Sequence, residues 1–543
     1  QLRFFAVPTP SAANAGTEYA GIAATPVMSV PAGYRSAPFP LVLSSATPGS
    51  EIRFTTDGSP PAATSSLYTG ALTVSATSVF RAAAFAPGYA PSEAVTRTWI
   101  FPADVLTQSP AGEIPPGWPA SWGGNRVDYG MDPEVIGPGA PYAAQALDAM
   151  QAIPALSIVM KLPDLFDSGT GIYANPGQNG DAWERPASLE LLNPDGSPGF
   201  QEDGGLRIRG NFSRDTNNPK HSFRMFFRER YGAGKLDFPL FGAEAADKHD
   251  VVDLRTSQDF SWAYLASTEA TFVTDSFARD LMENMGQGST RGYFYHLFIN
   301  GQYWGIYNTE ERVNPSFAAD YLGGNEVDYD VMKVDSFNTQ VAAGNADAWT
   351  QLWNLTEAGV ASDAALQALL GNNPDGTRNP SLPVHLDAAN LCDYMLMNFI
   401  IDNRDGPTYI DGGVPNNFFG VRSRDGRTGW RFFCHDSEYS MFDVNQDVTG
   451  PPTSIGATLS SSNPRRMWEK CMANAEFRVT FADRVQRHCF NGGALTAAAQ
   501  STTWQRRADE LDLAVIGESA RWGDASRASP LTRNDHWLPR IQY

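Results

Sequence analysis

Residues 206–227 read LRIRGNFSRDTNNPKHSFRMFF. Leu206 and Ile208 face one way and Arg207 and Arg209 the other, while Phe223, Met225 and Phe227 share one face of the return run. Side chains that alternate with period two belong to strands, so the stretch predicts a β-hairpin. Gly210 lets the backbone turn, Asn211, Ser213, Asn217 and Asn218 supply donors, and Lys220 closes the loop. Such a tip can cover phosphates through backbone amides and charge-assisted hydrogen bonds. The same residues also describe a solvated basic turn.

The surrounding chain is acidic, with a net charge of -20 over 543 residues. That argues against broad nucleic-acid binding, which needs a basic footprint, and makes any anion site local. Apolar residues are 42% and charged residues 18%, a globular balance, and Gly 49 with Pro 38 predicts many turns. No run of about 18 apolar residues exists, so the sequence predicts no membrane-spanning segment. The chain starts at Gln1 and reads as processed or as part of a longer one. Cys392, Cys434, Cys471 and Cys489 form no CxxC pair and read as buried thiols, with no spacing that requires a disulfide.

Residues 1–26 read as a linker or the end of an upstream module. From 27 to 101, short alternating runs at 39–45, 51–58, 70–76, 78–86 and 95–101, separated by turn clusters, predict a small β-sandwich. Residues 102–152 are rich in Pro and Gly and predict an extended connector packed on its neighbours. A large α+β domain follows over 153–530, leaving a tail at 531–543. Its first part predicts strands at 187–193, 205–211, 221–228, 250–255, 292–300 and 303–308, with Asn300-Gly301 as a hairpin turn. A helix within STEATFVTDSFARDLMENMG interrupts them, and the second part is mainly helical. A β-rich lobe followed by a helical lobe places a ligand cleft between the two.

A second constellation lies in NFIIDNRDGPTYIDGGVPNNFFGVRSRDGRTGWRFFCHDSEYS, residues 398–440. Asp405 follows a helix-like run, Asn416 and Asn417 open a strand, and Asp436 and Glu438 follow the next one. One loop and one hairpin separate Asp405, Asn417 and Asp436, close enough in chain to meet. Carboxylates with an amide oxygen are hard ligands suited to Mg²⁺ or Mn²⁺ beside phosphate. Asp443, Asn445 and Asp447 are spaced like the start of a calcium loop, but the glycine comes late and no glutamate closes it, so a solvated loop is expected. His435 reads as a packing residue.

Two resemblances follow. ATPGSEIRFTTDGSPPAATSSLYTGALTVSATSVFRAAAF resembles the chitobiase/hexosaminidase C-terminal module, an immunoglobulin-like β-sandwich that implies a spacer or a glycan-associated accessory. Tyr68, Tyr89 and Trp99 could stack on sugar, with core packing the expected role of Trp99. LRIRGNFSRDTNNPKHSFRMFF, LFG, FINGQYWGIYNTEE and NRDGP…NNFF…FFCHDSE, in this order, resemble the bacterial spore-coat protein H (CotH) family of atypical protein kinases. That resemblance implies a divergent two-lobed protein-kinase-like domain binding ATP and Mg²⁺ or Mn²⁺ and modifying a protein acceptor at the cell surface or after secretion. It implies Asp405 as the catalytic aspartate, Arg209, Lys220 and Glu310 as nucleotide-binding residues with Lys220 facing Glu310 or the metal carboxylates, and Asn417, Asp436 and Glu438 as metal ligands. His221 stands where the family often has a second lysine, and His-Asp-Ser-Glu replaces its usual Trp-Asp-x-Asp. Asp411 also lies between Asp405 and Asn417 and competes for the role of base. The alternative is a catalytically inactive coat or surface protein, with carbohydrate association through the β-sandwich as one form of it.

Overall fold

The computed structural model describes residues 4–5, 16–122, 125–126, 128–335, 338–408, 416–450 and 458–543. Asp411 lies outside them.

Seven strands close into a barrel: β1 Ala155–Val159, β2 Arg185–Leu192, β3 Gln201–Ile208, β4 Phe223–Phe226, β5 Val251–Arg255, β6 Phe294–Ile299 and β7 Gln302–Glu310. The order around the barrel is β1-β2-β3-β4-β5-β7-β6, and β6 closes it by pairing in parallel with β1. The opening hairpin is β3 and β4, with Leu206 opposite Met225 and Ile208 opposite Phe223. These apolar residues point inward and are buried with Leu156, Leu189, Val252 and Leu297. Asn300 (φ 47°) and Gly301 (φ 82°) are both left-handed in the β6–β7 turn. That conformation suits Asn-Gly and matches the twist of the flanking strands.

The stretch from 102 to 152 carries three short helices, Pro102–Val105, Pro133–Ile136 and Ala146–Ala149, so it is less extended than its composition predicts. Trp118, Trp122 and Tyr129 enter the barrel core, where Trp122 lies 5.8 Å from Trp304 and 5.2 Å from Tyr173 between ring centres.

The second part is built on a four-stranded sheet, β8 Tyr329–Asp335, β9 Asn338–Ala343, β10 Phe418–Ser423 and β11 Arg431–Cys434, ordered β9-β8-β10-β11. The longer helices of the described residues are α1 Thr274–Asn284, α2 Pro315–Leu322, α3 Asp347–Ala358, α4 Asp363–Leu369, α5 Ala388–Ile400, α6 Pro464–Cys471, α7 Ala475–Cys489, α8 Ala497–Leu511 and α9 Val515–Trp522. The β8–β9 pair lies in a stretch without a clean apolar period. The helix predicted from Ser267 begins only at Thr274, because Leu265 (φ 59°), Ala266 (φ 47°) and Phe272 (φ 63°) hold the preceding residues out of helical geometry. The tail at 531–543 is helical at Leu538–Gln542 and buries Trp537 and Ile541. Cys392, Cys434, Cys471 and Cys489 are free thiols, the first three buried. Among the described residues, no helix is long and apolar enough to cross a membrane.

Ahead of the barrel, a five-stranded sheet is faced by the pairs Val27–Met28 with Leu43–Ser44 and Phe39–Leu41 with Leu72–Val74. Trp99 is fully buried in this sandwich and donates its indole N–H to Pro31 O at 2.8 Å, a core role. The sandwich docks on the barrel. Gly58 (φ 82°) sits so close that a Cβ there would lie 2.3 Å from Met160 O, and Thr98 donates its hydroxyl to Glu190 of β2 at 2.5 Å.

Candidate active site

A cavity of about 430 Å³ opens between the barrel and the helical part. The β3–β4 loop borders one side through Arg209, Gly210 and Arg214, and Asp405, Asn417 and Asp436 border the other. The site thus unites the two constellations.

Local chain geometry brings the acidic side together. Helix α5 ends at Ile400 and delivers the loop that carries Asp405; β10 begins just after Asn417, and Asp436 follows β11. The β10–β11 pairing sets Phe418 opposite Cys434, so Asn417 and Asp436 end up side by side. Both are left-handed, at φ 51° and 55°. Asn and Asp tolerate that region better than other non-glycine residues, and such backbone clusters at functional sites. The Asp405 carboxylate accepts from Asn416 Nδ2 at 3.0 Å and Asn417 Nδ2 at 2.8 Å. Burial lifts its carboxyl from 3.8 to about 6 against these hydrogen bonds, helped by the nearby Asp436. Burial and Asp436 push Glu438 well above the usual carboxylate range. Asn416 Oδ1 is buried and without a partner.

The basic side is a relay of ion pairs. Arg224 of β4 faces Asp253 of β5, which in turn faces Glu310 of β7. Arg209 Nε donates to Asp253 at 2.8 Å, and Arg224 Nε at 2.5 Å. Burial pushes the Asp253 carboxyl upward, but Arg224 and Arg209 outweigh it and hold it well below the usual range. Arg255, two residues on, donates to Glu310 at 2.7 Å and to Asp275 of α1 at 2.6 Å, and pairs directly with Asp436. Arg279 of α1 completes the relay, 3.0 Å from Asp275 and 3.2 Å from Glu310. Glu310 therefore joins Arg255, Arg279 and, at 3.9 Å, Arg209.

Lys220 does not enter the cleft and does not face Glu310. It is 1% exposed, donates to Glu518 Oε1 of α9 at 2.6 Å and to Ile306 O at 3.0 Å, and lies 5.1 Å from the Tyr307 ring centre. The cause is Gly305 (φ 97°), where a Cβ would meet Glu518 Oε2 at 2.5 Å. That bare backbone lets α9 press onto β7 and aim Glu518 at Lys220, which follows the loop rather than its tip. His221 is buried beside it with Nδ1 3.1 Å from Ser213 O, and burial lowers its imidazole to about 4. His435 borders the cleft, stacked edge-on to Phe419 at 5.0 Å, and burial followed by Lys333 and Arg209 lowers it well below its usual value.

Sequence reading missed Arg255, Asp275 and Arg279, whose roles come from pairing across the interface. It also passed over Lys333 and Asp259, which border the cleft. The period-two spacing of Asp253 and Arg255 on one strand face was the available signal. Among the described residues, no three His, Cys, Asp or Glu side chains form a ready metal cluster. Asp443 and Asp447 are used in local turns, accepting from Asn445 N at 2.9 Å and Thr449 N at 2.8 Å.

Residues 206–505, just over half the chain, match the family model described as CotH kinase protein. Residues 30–97 match the chitobiase/β-hexosaminidase C-terminal domain. No curated protein matches the chain.

Proposed function

The chain belongs to the CotH kinase protein family, and from that premise we propose that the cleft binds ATP and transfers its terminal phosphoryl group to a hydroxyl of a protein acceptor. The observation that carries this reading is the meeting of Asp405, Asn417 and Asp436 with Arg209, Arg224 and Arg255 in one cavity. Phosphoryl transfer needs those two kinds of group, a positioned base and positive charge on the phosphates.

In this reading the helix-loop-hairpin order that brings Asp405, Asn417 and Asp436 together is the divergent kinase-like half of the fold. Asp405 takes the proton of the acceptor hydroxyl, whose oxygen forms the new bond to phosphorus as the bond to the leaving diphosphate breaks. A carboxyl held near 6 is ionised at neutral pH yet basic enough to accept that proton. Asn416 and Asn417 orient it. Arg209 and Arg255 face the phosphates, the role the resemblance had assigned to Lys220.

The donor set fits a hard divalent cation, Mg²⁺ or Mn²⁺. Asn416 Oδ1 is a buried acceptor without a partner, and the Asp436 and Glu438 carboxyls and the Asn417 amide border the same cleft. Bound there, the ion would neutralise phosphate charge.

Mass spectrometry of candidate acceptors incubated with ATP and Mn²⁺ or Mg²⁺ tests the proposal. Added phosphate that disappears in Asp405→Asn and Asp436→Ala supports it; equal modification by both variants overturns it.

A second reading is a catalytically inactive surface or coat protein. It is favoured by the direct Arg255–Asp436 pair, which already occupies a proposed metal ligand. Absence of a thermal shift with millimolar ATP and Mg²⁺ selects it. Secretion or display at a bacterial cell surface fits either reading, and the sandwich domain offers the half-buried Tyr68 and the exposed Tyr89 as glycan-stacking positions.

A further inference from the structure

A smaller recess of about 30 Å³ adjoins the cleft and shares Arg224, Lys333 and His435 with it as a common wall. Arg312 borders the recess but not the cleft, two residues beyond Glu310, where β7 ends. The phosphotransfer reading gives Arg312 no task.

Positive charge is crowded here. The register of the β3–β4 hairpin sets Arg207 directly opposite Arg224, and Arg312 lies beside Arg224 in turn. Like charges set so close destabilise a fold unless a counter-charge answers them. Arg207 is answered by Asp181 and Glu184, and Arg224 by Asp253. Arg312 is not: among the described residues it has no hydrogen-bond or ion-pair partner, and its nitrogens are open to solvent. The Arg224 charge, followed by burial, lowers its guanidinium to about 10. The carboxylates nearby are committed elsewhere. Asp253 serves Arg209 and Arg224, and Glu310 serves Arg255 and Arg279. Glu311 accepts from the Tyr321 hydroxyl and the Arg291 amide, and burial lifts its carboxyl to about 7. Asp250 accepts from Asn314 Nδ2 at 3.1 Å.

The recess has room for about two waters, or for one carboxylate group. An open guanidinium with Lys333 on the same recess binds a carboxylate through charge-assisted hydrogen bonds. Asp405 and the shared wall border one cleft, so a segment that brings its hydroxyl to Asp405 also passes the mouth of the recess. We propose that the recess reads an acidic residue of the protein acceptor, a glutamate or aspartate close in sequence to the modified hydroxyl, whose carboxylate pairs with Arg312 and Lys333. The inference rests on the phosphotransfer reading and names its acceptor class, polypeptides acidic beside the modified site. A chain of net charge -20 repels such a partner over most of its surface, and the recess supplies the local attraction that orients it.

Calorimetric titration of the full chain tests the site without turnover. The probes are three capped peptides, each with a central serine flanked on both sides by glutamate, glutamine or lysine, and free glutarate. In the wild type, the glutamate peptide should bind tenfold or more tighter than the glutamine peptide, with the lysine peptide weaker still. Arg312→Gln should weaken the glutamate peptide fivefold or more while affinity for ATP with Mg²⁺ stays within twofold. A preference for glutamate left intact in Arg312→Gln overturns the proposal. So does a tenfold loss of ATP affinity, which gives the recess to the nucleotide, or glutarate binding as tightly as the peptide, which gives it to a free carboxylate. Tightest binding of the lysine peptide, or no peptide binding at millimolar concentration, overturns it as well. Should Arg312→Gln fail to fold, the wild-type ranking decides alone. The titration measures no phosphate transfer, so a failure of the phosphotransfer reading shows in mass spectrometry and not in this ranking.

Discussion

Arg255 of the barrel and Asp436 of the helical part form a direct ion pair across the cleft. Arg255 also holds Asp275 and Glu310, so one guanidinium ties α1, the barrel and the proposed metal-binding loop together. Removing it leaves three carboxylates without their common partner, and breaking a buried pair costs about 3–5 kcal/mol. Arg255→Met should therefore lower the melting temperature and weaken nucleotide binding by tenfold or more. Arg255→Lys should recover stability and nucleotide binding only in part, because an ammonium keeps the charge but cannot span Asp275, Glu310 and Asp436 as the guanidinium does. Thermal denaturation and calorimetry with ATP and Mg²⁺ read both effects.

Asp405→Asn should abolish transfer and at the same time stabilise the fold at neutral pH. The raised folded-state carboxyl favours the protonated form, so its contribution is fully present below about pH 4 and is lost as pH rises through about 6. The shift from 3.8 to about 6 corresponds to roughly 3 kcal/mol at full effect. Denaturation midpoints at pH 5 and pH 8 should show the variant gaining more at pH 8. In the wild type, transfer should fall as pH drops through about 6.

Lys220→Ala should destabilise the protein by about 3–5 kcal/mol, because Glu518 is left buried without its cation. Nucleotide affinity of the folded fraction should stay within a few-fold of wild type. Titration at low temperature, where the variant remains folded, separates the two. A tenfold loss of affinity with unchanged stability would return Lys220 to the phosphates.

Glu190→Gln should strengthen the docking of the sandwich on the barrel above neutral pH. Burial raises this carboxyl to about 7 despite the Thr98 hydroxyl, so its favourable contribution is complete below about pH 4.5 and disappears through pH 7. Wild-type stability should decline from pH 6 to pH 8 more steeply than that of the variant.

Much of the acidic half of the site was legible in the sequence. Asp405, Asn417 and Asp436 are separated by one loop and one hairpin, so local chain geometry forces them together. The β3–β4 hairpin and the Asn300-Gly301 turn were equally local. Lys220 was misplaced for the opposite reason: its partner is 298 residues away, and no period or spacing points from one to the other. Arg255 escaped notice because its spacing shows only a strand face; its importance arises from α1 and the loop after β11, which meet it only in the folded molecule.

The Lys220–Glu518 contact also sets an order of events during synthesis. The barrel strands emerge early, yet the carboxylate that neutralises the charge inside them belongs to a helix made 298 residues later. At ribosomal speeds that is a wait of about 15–60 s, far longer than hairpins and helices need to form. Through that interval Lys220 has to stay outside or be held neutral, so its burial as a charged group against Glu518 is a late step. The lobe that is translated first thus makes one of its buried contacts last, and a ribosome stalled before Glu518 would carry a barrel whose Lys220 still lacks its counter-charge.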